Sequence, residues 1–146
     1  MEKRKVQLVL RSTQHDISEK PIEQIYDGFY SFRNNTHFIS YEEIYDSEAG
    51  SAAGGTSLIK IKPDSLYLLK KGAITTRMEF DTSNNHFTSY QTPYGTFQLE
   101  IITDELNMQQ SGEDISLKIN YRLNMDGKPL SRYLMEISVH FITKEL

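Results

Sequence analysis

The 146-residue sequence contains no cysteine. That absence excludes disulfides, thiolate-bound zinc and cysteine nucleophiles, and it suits a reducing compartment. Long apolar runs are missing as well, since no window approaches the roughly 20 apolar residues of a membrane-spanning helix. The N-terminal Met1-Glu2-Lys3-Arg4-Lys5 is followed only by Val6, Gln7, Leu8, Val9 and Leu10 before Arg11, too short an apolar stretch for a secretory leader. The expected setting is therefore the cytoplasm, with no membrane partner. Clustered cations are scarce. The net charge is −4 and the pI about 5.6, and the basic clusters Lys3-Arg4-Lys5 and Lys70-Lys71 read as charges that blunt strand ends. No nucleic-acid partner is expected from this balance, because phosphate binding needs gathered cations.

Chemical motifs are equally sparse. The four histidines, at positions 15, 37, 86 and 140, show no HExxH or HxH spacing, so neither a metal nor another cofactor is expected. The chain has no GxSxG and no dinucleotide fingerprint, and Gly50 to Gly55 lacks the Lys and Ser/Thr of a phosphate loop. No repeat of 20–50 residues is visible. No long amphipathic helix stands out either, although residues 15–26 have room for one short turn.

What is present is alternation. From Ile115 to Met125 every odd position is apolar and every even one polar. A β-strand sends successive side chains to opposite faces, so this segment has one dry face and one wet face. The same rhythm marks strands over 4–13, 24–34, 37–45, 56–62, 65–71, 74–81, 86–91, 97–101 and 114–125, and a last one running to Thr143. The 16 aromatic residues are all Tyr or Phe and suit strands. Asn34-Asn35, Pro63-Asp64, Asn84-Asn85 and Asp126-Gly127 read as turns, the last a strong type I′ hairpin signal. Gly28 reads as a bend or bulge, residues 46–55 as a mobile loop, and 105–110 as ambiguous. The fold expected is all-β: a single antiparallel, mostly up-and-down β-barrel of about 8–10 strands spanning 1–146, because closing a long meander removes exposed edges.

Several segments resemble the bacterial YwiB-like family. They are Tyr41-Glu42-Glu43, the strand Thr56 to Lys62, Lys71-Gly72, Met78-Glu79-Phe80, Tyr90-Gln91-Thr92-Pro93-Tyr94-Gly95-Thr96-Phe97, and Tyr121-Arg122-Leu123 with Asp126-Gly127. The likeness runs from about residue 4 to residue 142. It implies a lipocalin-like, or calycin-like, barrel and no assigned biochemical role. One departure is Lys70, where the family pattern has arginine two residues before the glycine; lysine cannot reproduce a bidentate guanidinium contact.

A few residues stand out as candidates for a site. Glu43 shares strand parity with Ile39, Tyr41 and Tyr45, so it would point inward. A carboxylate there must be paired, hydrogen-bonded or protonated. It is either a polar handle or base facing a ligand, or a structural ion pair with Arg77 or Lys70. Tyr90, Thr92 and Tyr94 around Pro93 form either a hydroxyl-rich mouth or a corner that curves the sheet. Arg77, Glu79, Arg132 and Glu136 read as charge pairs on an outer face. The function expected is non-enzymatic binding of a small, partly apolar ligand inside the barrel, with Tyr41, Glu43, Arg77, Tyr90, Thr92 and Tyr94 as contacts. Two alternatives stay open: an enzyme using Glu43 as acid or base, and a protein-interaction module whose barrel is filled by its own side chains. Outward apolar residues such as Val9, Leu69 and Ile102 would favour the last if they clustered. No sequence feature specifies an oligomeric state.

Overall fold

The computed structural model describes residues 3–47, 50–71 and 75–142, and of 43–47, 50–54 and 90–92 it describes the backbone alone. The elements are all strands: β1 (Arg4–Gln14), β2 (Ile22–Arg33), β3 (Thr36–Ser47), β4 (Gly50–Lys62), β5 (Ser65–Lys70), β6 (Thr76–Asp81), β7 (His86–Thr92), β8 (Gly95–Ser111), β9 (Asp114–Met125) and β10 (Lys128–Phe141). Sequence rhythm translates directly into burial. In β9 the odd residues Ile115, Leu117, Ile119, Tyr121 and Leu123 are buried while Ser116, Lys118 and Arg122 face out.

Two hairpins are set by left-handed turn residues. Asn34 and Asn35 have φ of 51° and 57°, and Asp126 and Gly127 have φ of 49° and 81°. Both pairs match the type I′ pattern, whose twist agrees with that of the flanking strands. Pro93 and Tyr94 form the two-residue loop between paired Thr92 and Gly95.

All ten strands belong to one sheet, in the order β6-β5-β4-β3-β2-β1-β10-β9-β8-β7. Every ladder is antiparallel, and β1 closes on β10 from Val6↔Phe141 to Gln14↔Tyr133. The result is an all-β, nearly closed up-and-down barrel. Its one seam without a ladder among the described residues lies between the consecutive strands β6 and β7. His86 of β7 meets Glu79 of β6 at 3.3 Å across that seam, and β6 is tied past it to β8 and β9: Asp81 N–H donates to Thr103 Oγ1 at 3.1 Å, and the Phe80 ring meets Tyr121 edge-on at 4.8 Å. The interior is one continuous apolar cluster that includes Val6, Leu8, Ile39, Ile59, Ile61, Leu66, Phe80, Ile101, Ile119 and Ile137.

Several expectations need correction. Residues 50–55 are not a loop: β4 begins at Gly50, and Ser51 and Ala52 pair with Asp46 and Tyr45. Small residues carry no readable hydrophobic rhythm, but their backbone can still fill a ladder. The ambiguous 105–110 continues β8 after a register irregularity between Thr103 and Glu105. Gly28 is no bend. It sits mid-strand facing inward, where a Cβ would lie 2.8 Å from the Ser40 carbonyl oxygen. The short turn allowed for within 15–26 is present as Gln14 to Ser18, whose amide donates to the Gln14 carbonyl at 3.1 Å. Thr143 and Ile74, counted into strands by rhythm, lie outside the described residues.

Candidate functional site

The inward candidates separate from the outward ones. Tyr41 is buried inside the barrel, its ring 4.7 Å from that of Tyr26. Beside it in register is Ser57, fully buried, whose Oγ has no hydrogen-bond partner among the described residues. A second tyrosine pair, Tyr121 and Tyr133, stacks at 5.0 Å, and burial raises both phenol pKa values above their usual range.

Glu43 is the next odd position of β3, but its side chain lies outside the described residues. The ladder with β4 shifts register between Glu42 and Ile44, with the extra residue on β4, so the alternation along β3 itself is not interrupted. Tyr90 and Thr92 are backbone members of β7, opposite Phe97 and Gly95, and their side chains also lie outside the described residues. Arg77 is exposed, opposite Leu69 on the outer face of β6. The structure therefore does not bring Arg77 to Tyr41. Tyr94, at the tip of the β7–β8 loop, is 93% exposed.

Some groupings were not read from the sequence. At one end of the barrel Tyr30 Oη and His37 Nδ1 share a 2.7 Å hydrogen bond, with the Phe32 ring 4.9 Å from the imidazole. The Asn34-Asn35 turn fixes the register that faces Phe32 to His37, so the hairpin signal contained this pair. Burial lowers the His37 pKa and raises that of Tyr30. With both groups neutral and the imidazole proton on Nε2, the Tyr30 hydroxyl donates to Nδ1. Because the folded-state pKa of His37 is depressed, its contribution to stability is complete above the unfolded value of about 6.5. It is lost as pH falls through the folded value. We expect urea midpoints to drop between pH 7.5 and pH 5, and a His37→Phe variant to show a smaller drop; equal drops would exclude His37 as the cause.

At the other end, Ser131 Oγ donates to Asp16 Oδ2 at 2.8 Å and accepts from Gln14 Nε2 at 3.0 Å. The bond from Ser131, then the Arg132 amide, holds the Asp16 carboxyl below its ordinary pKa. This network staples the β1–β2 connection to β10. The outer-face ion pairs also differ from those expected. Glu79 meets His86 at 3.3 Å, whereas Arg132 stands opposite Arg122, itself bound by Asp104 at 2.8 Å. Val9, Leu69 and Ile102 lie on β1, β5 and β8 and do not adjoin one another.

The outer face of β2–β5 is the most differentiated surface. A groove of about 290 Å³ is lined by Lys3, Phe29, Ser31, Arg33, Phe38, Ser40, Leu58 and Lys60. Three of these eight are cations and none is a carboxylate. The Arg33 guanidinium lies 4.8 Å from the Phe38 ring centre. The Lys60 ammonium sits between two rings, 5.7 Å from Phe38 and 5.0 Å from Tyr67. These positions come from four strands, and only the ladder register Ser31↔Phe38, Phe38↔Lys60 and Lys60↔Tyr67 assembles them.

With that geometry in hand, the chain can be compared with known proteins. The family model described as Domain of unknown function (DUF1934) matches residues 6–137. The chain belongs to that family. The crystal structure of the YwiB protein from Bacillus subtilis superposes with a TM-score of 0.75 at 20% identity, covering 97% of this chain and 94% of that one. The YwiB-like resemblance is thereby shown, and the shared barrel with it. No curated protein matches the chain. Among the described residues no helix is long and apolar enough to cross a membrane.

Proposed function

We propose that this family member is a binding module that recognises an anionic partner bearing apolar groups through the outer face of β2–β5, while its interior serves as structural core. It shares the filled barrel with the protein-interaction alternative but differs from it in the partner. The observation that supports it best is the groove with three cations, two phenylalanines and no carboxylate. Low-dielectric walls beside gathered cations concentrate anions, and rings supply contact area for apolar parts of the partner. A cytoplasmic setting fits a chain without cysteine.

The test uses inorganic polyphosphate as probe. Titrated by calorimetry at low salt, it should bind the wild-type protein, and a double variant Arg33→Gln, Lys60→Gln should bind at least tenfold more weakly. Absence of wild-type binding, or equal binding by the variant, would refute the proposal.

A second reading retains a small ligand inside the barrel beside Tyr41. The buried Ser57 Oγ favours it, because a buried hydroxyl without a partner is costly and a ligand acceptor would satisfy it.

A further inference from the structure

Resting on the outer-face reading, we infer that the anionic partner is single-stranded nucleic acid, laid across β2, β3, β4 and β5 with its bases on Phe29, Phe38 and Tyr67. Two features carry this. First, in the register line Ser31–Phe38–Lys60–Tyr67 the last three residues run ring, cation, ring across β3, β4 and β5. Single-strand binders combine these ingredients: cations that track the backbone and aromatic faces on which bases stack. Second, the groove does not end at Lys60. A neighbouring groove of about 420 Å³, lined by Lys60, Lys62, Ser65, Leu66, Tyr67, Glu79, Phe80 and Asp81, shares that lysine and continues the path over β5. From β2 to β5 the path crosses three inter-strand spacings, about 14 Å, a run suited to a strand of nucleotides rather than one small anion.

The chemistry of the rings selects among anions. Phe29 is 48% exposed and open to a stacked base. Phe38 and Tyr67 carry Arg33 and Lys60 near their faces; a phosphate that draws those cations away uncovers the rings for the adjoining base. Duplex DNA keeps its base faces stacked and inaccessible, and an acidic peptide offers carboxylates but no succession of planar rings. The overall charge of −4 argues against general affinity but not against this track, where cations are gathered locally. Asp27 on β2, opposite Gln7, flanks it, and the carboxylates Glu79 and Asp81 on β6 line the far side of its second groove. Glu79 is engaged by His86.

The experiment measures fluorescence anisotropy of a labelled oligouridylate 12-mer against the full chain at 50 mM salt, beside polyphosphate, a duplex of equal length and polyglutamate. Expected is binding of the single strand with a log–log salt slope near −2 for three cations. Phe29→Ala and Tyr67→Ala should each weaken it by about 5- to 150-fold while polyphosphate affinity stays unchanged. Phe29 is exposed, so its truncation leaves the core intact, and a circular-dichroism melt checks the fold of each variant. If the single strand and polyphosphate bind alike and the ring variants change neither, the nucleic-acid inference falls while the anion-groove reading stands. Tighter binding of polyglutamate, or of the duplex, overturns it in favour of those partners. If no polyanion binds, both readings fall together.

Discussion

Replacing Phe80 with alanine should lower the unfolding free energy by about 3–5 kcal/mol, the usual cost of emptying a fully buried phenylalanine site. Phe80 is completely buried and lies on β6, a strand that among the described residues is laddered to β5 alone. Among the described residues its other edge is held by side-chain contacts and the Asp81–Thr103 bond rather than by a ladder. The cavity would therefore open where the barrel is stitched least. Equilibrium urea unfolding reads the total loss, and amide exchange should show protection falling first in β5 and β6. A loss below about 1 kcal/mol would mean that the seam is held by something other than the Phe80–Tyr121 contact.

The second large effect concerns Gly28. Its built Cβ meets the Ser40 carbonyl oxygen at 2.8 Å and Ile39 Cγ2 at 3.4 Å. Both belong to β3, so relief requires backbone movement between two paired strands. Gly28→Val should destabilise by about 1–3 kcal/mol or more, as overpacking does in tight interiors, and should disturb the Tyr26–Tyr41 contact beside it. Near-ultraviolet circular dichroism reports the tyrosine environment. An unchanged tyrosine signal together with unchanged stability would show that the strands can separate freely there.

The strands were legible because one face of each is dry and the other wet. Where that contrast holds, as in β9, residue parity and burial agree throughout. The reading failed where the physical basis of parity was missing. Gly50 to Gly55 offers no side chains of contrasting polarity, yet its backbone satisfies a ladder. In β8 the irregularity after Thr103 moves the inward set from odd to even numbers, to Leu106 and Met108. A rhythm counted from Phe97 loses phase there and hides the remainder of the strand. The irregularity beside Glu43 differs, because its extra residue lies on β4 (Glu42 faces Thr56 and Ile44 faces Ala53), so the count along β3 keeps its phase there. Tyr41 was placed correctly inside because no such break precedes it. The cationic groove was invisible for a different reason. Its members come from β2, β3 and β4, with Lys3 just ahead of β1, and meet only through register, which net charge averages away and a linear string does not contain.

The laddered closure of the first strand on the last has a topological consequence. Val6 pairs with Phe141, and the Ile142 amide donates to the Lys5 carbonyl at 3.1 Å, so the two ends of the sheet-forming chain lie side by side. The unlaced seam falls instead at residues 82–85, between neighbours in sequence. A circular permutant joined by a short linker across the old ends and cut within 82–85 would keep every ladder. Its strands would then follow one another in space in the same order as along the chain.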